Sequence, residues 1–108
     1  MSNQQLKGHL EGLIMATLEF GPAHGYLITE SLRARSGGLF DLPEGTIYPA
    51  LHRLEDAGFI KSIYETVDGR QRRVYRLAPM GRKSLEQTRV RWKTFASAVT
   101  NILTASPA

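Results

Sequence analysis

The residues with the clearest chemical potential form an arginine-rich stretch, GRQRRVYR, from Gly69 to Arg76. It holds four arginines and no acidic residue. A local excess of guanidinium groups suits a polyanion such as nucleic acid, because each group can pair with phosphate oxygens. The candidate contacts are Arg70, Gln71, Arg72 and Arg73. The alternative is a solvated charged surface, which is the usual role of a charge run.

A second candidate is the stretch EGTIYPALHRLEDAGFI, from Glu44 to Ile60. Ile47, Leu51 and Leu54 recur at helical spacing and predict one buried stripe. The opposite surface carries side chains of the kinds that meet phosphates and base edges, namely Thr46, Tyr48, His52 and Arg53. The alternatives are plain exposure for Tyr48 and His52, and for Arg53 an internal ion pair with one of three acids, Glu30, Glu55 or Asp56.

Apolar periodicity and helix-ending residues predict the helices that position these side chains. The predicted spans are Gln5–Phe20, His24–Arg35, Glu44–Ala57 and Pro79 to about Thr104. The start of the third helix has two solutions. Pro43 could be its first residue, which places Pro49 inside the helix, or Thr46 could be the N-cap with Pro49 in the first turn. We favour a loose or kinked first turn over residues 45–49.

The stretch between the third and fourth helices predicts a β-hairpin. Asp68–Gly69 is a strong signal for a two-residue turn, and it places Val67 opposite Arg70. In this register Glu65 lies opposite Arg72, whereas Arg70, Arg73 and Arg76 face no acid. Three further residues, Tyr26, Tyr75 and Leu77, are expected to pack in the core or at a hinge, with a phosphate contact as the alternative for the Tyr26 hydroxyl.

The last predicted helix carries a seam of side chains spaced alternately by three and four residues. The seam consists of Leu85, Thr88, Trp92, Phe95, Val99 and Ile102. Such a heptad seam is typical of a helix that packs against a second helix, so it predicts a dimer contact. Packing in that contact is the simplest role for Trp92.

The composition excludes several other functions. The chain has 108 residues, a net charge of +4 and no cysteine, so disulfides and thiolate chemistry are absent. The three histidines lack metal-binding spacing, and no catalytic or phosphate-loop motif occurs. We therefore expect no enzyme activity, metal or cofactor. The N-terminal stretch resembles neither a signal peptide nor a membrane span, and we expect a cytoplasmic protein.

Three helices, a hairpin and a long helix, in that order, predict a winged helix-turn-helix. The expected fold class is α+β and mostly helical. Residues 1–78 would form the DNA-binding domain, and residues 79–108 would form a C-terminal dimerisation helix, both within one compact unit.

Four segments resemble the PadR-like transcriptional regulators. They are GPAHGYLI (21–28), EGTIYPALHRLEDAGFI (44–60), GRQRRVYRLA (69–78) and GRKSL (81–85). The resemblance extends over roughly residues 10–95 and is closest to the short branch with a single C-terminal helix. Two positions depart from the family pattern: Ala78 replaces a capping Thr or Ser, and Pro43 replaces a small polar residue.

The resemblance implies a homodimer that binds double-stranded DNA at an inverted repeat, often as a repressor. Thr46, Tyr48, His52 and Arg53 would lie at the DNA, with the wing arginines along its backbone or minor groove. Some relatives hold flat aromatic molecules between paired tryptophans, which implies a small planar aromatic effector at Trp92. The alternative function is a non-catalytic winged-helix module that docks a protein partner.

Overall fold

The computed structural model describes Leu6 and residues 8–104. Within this part the helices are α1 (Leu10–Leu18), α2 (Gly25–Arg35), α3 (Glu44–Asp56) and α4 (Pro79–Thr104). The strands are β1 (Ala23–His24), β2 (Ile60–Val67) and β3 (Arg70–Leu77), which form an antiparallel sheet in the order β1-β3-β2. This architecture confirms the predicted winged helix-turn-helix with a long final helix.

Helix α1 is shorter than the periodicity predicts. The predicted start at Gln5 lies outside the described residues. Leu6 is helical, but Gly8 with a φ of 89° separates it from the helix that starts at Leu10. The helix ends at Leu18 rather than at Phe20. Its inward side chains belong to the core, and the buried hydroxyl of Thr17 donates to the Ile14 carbonyl at 2.7 Å. That bond satisfies a polar group that water cannot reach.

Strand β1 is an element that the sequence does not predict. Ala23 pairs with Tyr75 and His24 pairs with Val74, so this short segment extends the wing sheet. Helix α2 therefore begins at Gly25, and the expected start at His24 is one residue too early. His24, the N-cap residue of α2, is consequently paired with β3 of the wing.

Helix α3 begins at Glu44, the start of the predicted span, with Pro43 as its N-cap. It continues through Pro49 without a break, so residues 45–49 are regular helix and do not form the loose first turn that we favoured. The Thr46 amide donates to the Pro43 carbonyl at 2.9 Å, which tightens the first turn. Pro49 lacks the donor that would reach the Gly45 carbonyl, but Gly45 is exposed and water can satisfy that oxygen.

The end of α3 is a glycine cap, as the sequence predicts. The Phe59 amide donates to the Leu54 carbonyl and the Gly58 amide donates to the Glu55 carbonyl, each at 3.0 Å. This pair of bonds is a Schellman motif, in which carbonyls left over at the helix end are satisfied. The motif turns the chain directly into β2.

The wing has the predicted register at every one of its pairs, from Ile60 opposite Leu77 to Val67 opposite Arg70. Asp68 and Gly69 have φ values of 51° and 76°. Positive φ at both central residues defines the type I′ turn, whose twist matches that of the strands. The Asp-Gly pair thus determined which side chains share a face.

The core lies between the helices and the inner side of the sheet. Its fully buried large side chains are Ile14, Leu18, Ile28, Ile47, Leu51, Leu54, Ile60 and Tyr75. Tyr75 and Leu77 are buried as predicted, whereas Tyr26 is 59% exposed and does not pack in the core. Its expected place at a hinge stays a prediction. At the start of α4 the Ala78 amide donates to the Phe59 carbonyl at 3.0 Å.

Candidate nucleic-acid interface

Helix α3 presents a continuous exposed face. Its buried side chains are Ile47, Ala50, Leu51 and Leu54. Gly45, Pro49 and His52, spaced by four and three residues, lie along the centre of the opposite face and are all exposed. Thr46 and Arg53 lie along one edge of that face, and Tyr48 lies along the other. The face therefore has a small, flat front and polar edges, a shape that fits the groove of a duplex.

The Tyr48 edge of α3 packs closely on the start of α2. A Cβ atom added to Gly25 would come within 2.7 Å of the Tyr48 hydroxyl oxygen, so only glycine leaves room for the ring. Tyr48 nevertheless keeps 38% of its surface exposed. Its ring is held by the fold while part of it remains free to touch a ligand.

The other edge of α3 is tied to α1. Arg53 donates from Nε to Glu11 Oε1 at 2.7 Å, and both side chains are substantially exposed. Arg53 thus has an internal ion pair, as the alternative expectation allowed, but with Glu11 rather than with Glu30, Glu55 or Asp56. An exposed pair of this kind contributes little to stability and can exchange partners, so a phosphate contact by Arg53 stays a prediction.

The wing divides its arginines between two faces, because successive side chains of a strand point to opposite sides. Arg70 and Arg72 lie on the outer face, which is turned away from α3 and also carries Lys61 and Arg76. Gln71 and Arg73 lie on the inner face, towards α3. The structure therefore does not bring the four candidate residues together as one surface.

The outer-face arginines are weakly held. Arg72 Nε lies 3.7 Å from Glu65 Oε2, and both side chains are more than 40% exposed. Both residues also act on His24, which neighbours them across the sheet. Burial and the positive charge of Arg72 lower the pKa of His24 below its ordinary value, with Glu65 acting in the opposite direction. His24 is therefore neutral near pH 7 and adds no charge to this face.

Arg73 on the inner face is firmly held. Its Nη2 donates to Glu55 Oε1 at 2.7 Å, and its Nε donates to Ser62 Oγ at 2.7 Å. The Ser62 hydroxyl in turn donates to Glu55 Oε2. The guanidinium carbon also lies 5.8 Å from the ring centroids of both Tyr64 and Tyr75. These contacts join the wing to α3.

The C-terminal helix carries an apolar surface of its own. Leu85 is buried against the core, but Trp92, Phe95, Val99 and Ile102 are exposed, Trp92 by 53%. Trp92 contacts the ring of His9, with centroids 5.4 Å apart, and the ring of Phe95 at 5.9 Å. Beside it lies a largely apolar cavity of about 350 Å³ between α1 and α4, lined by Leu6, His9, Gly12, Leu13, Ala16, Phe40, Leu85, Thr88, Arg89 and Trp92.

The described residues offer neither a metal site nor a membrane-spanning helix. Leu6 and residues 8–104 contain no cluster of three or more histidine or acidic side chains placed to hold a metal ion. None of the helices in that part is both long and apolar enough to cross a bilayer.

The sequence and the fold agree with one group of known proteins. Residues 14–87 match the Transcriptional regulator PadR-like family. The chain belongs to the PadR-like family. Its members are transcriptional regulators and not enzymes, which confirms the prediction of a non-enzymatic protein.

Three PadR-like or regulatory relatives illustrate the match. A transcriptional regulator from Clostridium thermocellum has a TM-score of 0.85 and 30% identity, over 94% of this chain and 96% of that chain. The transcriptional regulator Rv3488 of Mycobacterium tuberculosis is 47% identical over 66 residues, which span 61% of this chain but only 59% of that protein. PadR of Bacillus subtilis, solved in complex with operator DNA, has a TM-score of 0.68 and 28% identity, over 73% of this chain and 45% of that chain.

The structure of this PadR-like chain also adds contacts and positions that the sequence did not predict. Tyr26 stacks on His24 with centroids 6.2 Å apart, and the charge of Arg72 acts on His24. Pro49 lies at the centre of the exposed α3 face. The predicted register already placed Lys61 opposite Arg76, so strand alternation could have identified the outer basic face. No sequence signal indicated the pair of Tyr26 and His24, because it depends on the unexpected strand β1.

Proposed function

We propose that the protein is a homodimeric repressor that binds an inverted-repeat operator in the cytoplasm. The exposed face of α3 would enter the major groove, with Thr46, Tyr48, His52 and Arg53 as its contacts. The outer wing arginines would neutralise the flanking backbone. The observation that carries the proposal is that the exposed face of α3, with small residues at its front, occurs together with a basic wing. The Bacillus subtilis PadR that was solved in complex with operator DNA has a similar fold.

A dimer is supported by the uncovered seam of α4. Trp92, Phe95, Val99 and Ile102 lie along one side of a helix that projects from the body, and their exposure is unfavourable for an isolated chain. Packing against a second copy would bury them. Two-fold symmetry in the protein would then be matched by an inverted repeat in the operator. Residues 79–108 are accordingly proposed as the dimerisation segment.

Selection of binding sites from a random duplex library, with purified protein at near-physiological salt, tests the proposal. Enrichment of an inverted repeat is the expected result, and the spacing of its half-sites would define the dimer geometry. If the protein is folded and dimeric but no motif is enriched, sequence-specific regulation is not supported and a protein-docking function gains weight.

The cavity beside Trp92 supports the proposal of a planar aromatic effector. Its lining is mostly apolar, and it includes the Trp92 ring, which offers a face for stacking. Because Trp92 is the only tryptophan, its fluorescence reports on this site alone. We expect planar aromatic compounds to quench it in a saturable way. A broad panel that leaves the emission unchanged would remove the effector from the proposal.

A further inference from the structure

We infer that Arg73 is a positioning residue that fixes the wing relative to α3, and that Arg72 is the wing arginine that neutralises phosphate. This assignment rests on the proposed DNA-binding function. It separates two adjacent arginines that the sequence alone treats as equivalent. The separation follows from strand alternation, which turns Arg73 towards α3 and Arg72 away from it.

Arg73 directs two of its guanidinium nitrogens at the protein, although its side chain keeps 38% of its surface exposed. Nε and Nη2 bind Ser62 and Glu55, and two tyrosine rings flank the guanidinium plane. A guanidinium held by a carboxylate, a hydroxyl and aromatic faces has little freedom to reach a phosphate. Because Glu55 belongs to α3 whereas Ser62 and Tyr64 belong to β2, this one side chain sets the distance between the helix and the wing.

Arg72 has the opposite character. Its only ionic partner in the described residues is Glu65, at 3.7 Å, and both side chains are exposed. Such a pair contributes little and is easily released. The pair of Glu65 with Arg72 can therefore serve as a control for the pair of Glu55 with Arg73, because both involve an arginine of β3.

Replacing the acid of each pair shows whether its arginine positions the wing or neutralises phosphate, because the two roles change the DNA affinity in opposite directions. Removing a carboxylate beside the DNA should strengthen binding wherever charge alone matters, because less negative charge opposes the phosphates. We expect this for Glu65→Ala. For Glu55→Ala we expect weaker binding, by about fivefold, because the wing loses its anchor on α3.

The arginine variants are distinguished by the dependence of affinity on salt. Arg72→Ala should make the negative slope of log K against log salt shallower by about 0.9, as expected for the loss of one phosphate contact. Arg73→Ala should weaken binding while leaving that slope unchanged. The double variant of Glu55 and Arg73 should bind no more weakly than either single variant, because both act through one contact.

The measurements use the dimer with the duplex enriched in the selection and with a mixed-sequence duplex, after thermal unfolding has shown that each variant folds. Ser62→Ala removes one hydrogen bond of Arg73 without a change of charge, and weaker binding is expected for it as well. If Glu55→Ala does not fold, Ser62→Ala takes its place in the test. Stronger binding by Glu55→Ala, or equal loss of salt slope in the two arginine variants, would overturn the inference.

A readout without DNA separates this inference from the proposed function. Hydrogen exchange of the β2 and β3 amides should be faster in Arg73→Ala than in the wild type, and unchanged in Arg72→Ala. Equal exchange in the two variants would overturn the positioning role. If the wild-type protein selects no duplex, the proposed function fails while the exchange result still decides whether Arg73 holds the wing.

Discussion

At the scale of single residues, two glycines near the starts of helices have very different surroundings. A Cβ atom at Gly81 would lie 2.1 Å from the Phe59 carbonyl oxygen, which is backbone and cannot move aside cheaply. A Cβ atom at Gly45 would meet nothing within 4 Å. The first glycine is required by the packing of α4 on the start of the wing, whereas the second is not required by the fold.

Gly81→Ala should therefore destabilise the protein by about 3 kcal/mol, because α4 must shift away from the Phe59 carbonyl. Denaturant unfolding measures the change. Gly45→Ala is the control in the first turn of another helix, and it should stabilise the protein by up to about 0.5 kcal/mol. Equal free energies of unfolding for the two variants would show that the close approach at Gly81 is not tight.

Gly45→Ala should also weaken binding to the selected duplex, even though it stabilises the fold. Gly45 lies at the front of the exposed α3 face, where the proposed complex brings the helix backbone close to DNA. Fluorescence anisotropy titration measures the affinity. An unchanged affinity would indicate that the front of α3 stays at a distance from the duplex.

At the scale of elements, an exposed ionic network joins α1 to α4. Arg89 binds Glu19 at 2.7 Å and Glu86 at 2.6 Å, so the end of α1 is linked to the final helix. The hydrogen bond from Arg89 lowers the pKa of Glu19 below its usual value of 4.5. A lowered pKa in the folded state means that this link stabilises the protein above that value and is lost as the pH falls through the lowered pKa.

The melting temperature of the wild type should consequently fall more steeply than that of Glu19→Gln between about pH 5 and pH 3. Glu86→Gln is the control, because it removes an Arg89 partner within α4 and leaves the link to α1 in place. Thermal scans across that range measure both. Parallel curves for the wild type and Glu19→Gln would show that the link adds no pH-dependent stability.

The sequence predicted well the elements that are determined by neighbouring residues. It did not predict those that depend on residues far away in the chain. The Asp68–Gly69 turn fixes the register of the whole wing, and Gly58 fixes the end of α3. Strand β1 is two residues long and has no period to detect, and it exists only because β3 offers it an edge. Likewise, the arginine spacing predicts a basic wing, but the link from Arg73 to Glu55 requires the packing of β3 against α3.

At the scale of the whole molecule, the long helix gives the chain an elongated shape of 64 × 28 × 21 Å. After Leu85 its large apolar side chains, among them Trp92, Phe95, Val99 and Ile102, keep between 38% and 80% of their surface exposed. Replacing Val99 and Ile102 with Glu should break the proposed dimer, because charges would have to be buried in the seam. Binding to the selected duplex should be lost with it, since a single half-site would be bound weakly.

Light scattering and titration with the selected duplex measure these two effects. Val90→Glu is the control, because Val90 is exposed on the opposite side of α4 from the seam. It should leave the mass and the affinity unchanged. A Val99 and Ile102 variant that remains dimeric would place the dimer contact elsewhere on the molecule.

The pairing of β1 with β3 also has a consequence for how the chain folds. The hairpin of β2 and β3 closes through a two-residue turn, so it can form early from local contacts. Ala23 can reach Tyr75 only after a loop that contains α2, α3 and β2 has closed. We therefore expect β1 to pair with β3 late in folding. The wing would then acquire its final orientation in one of the last steps.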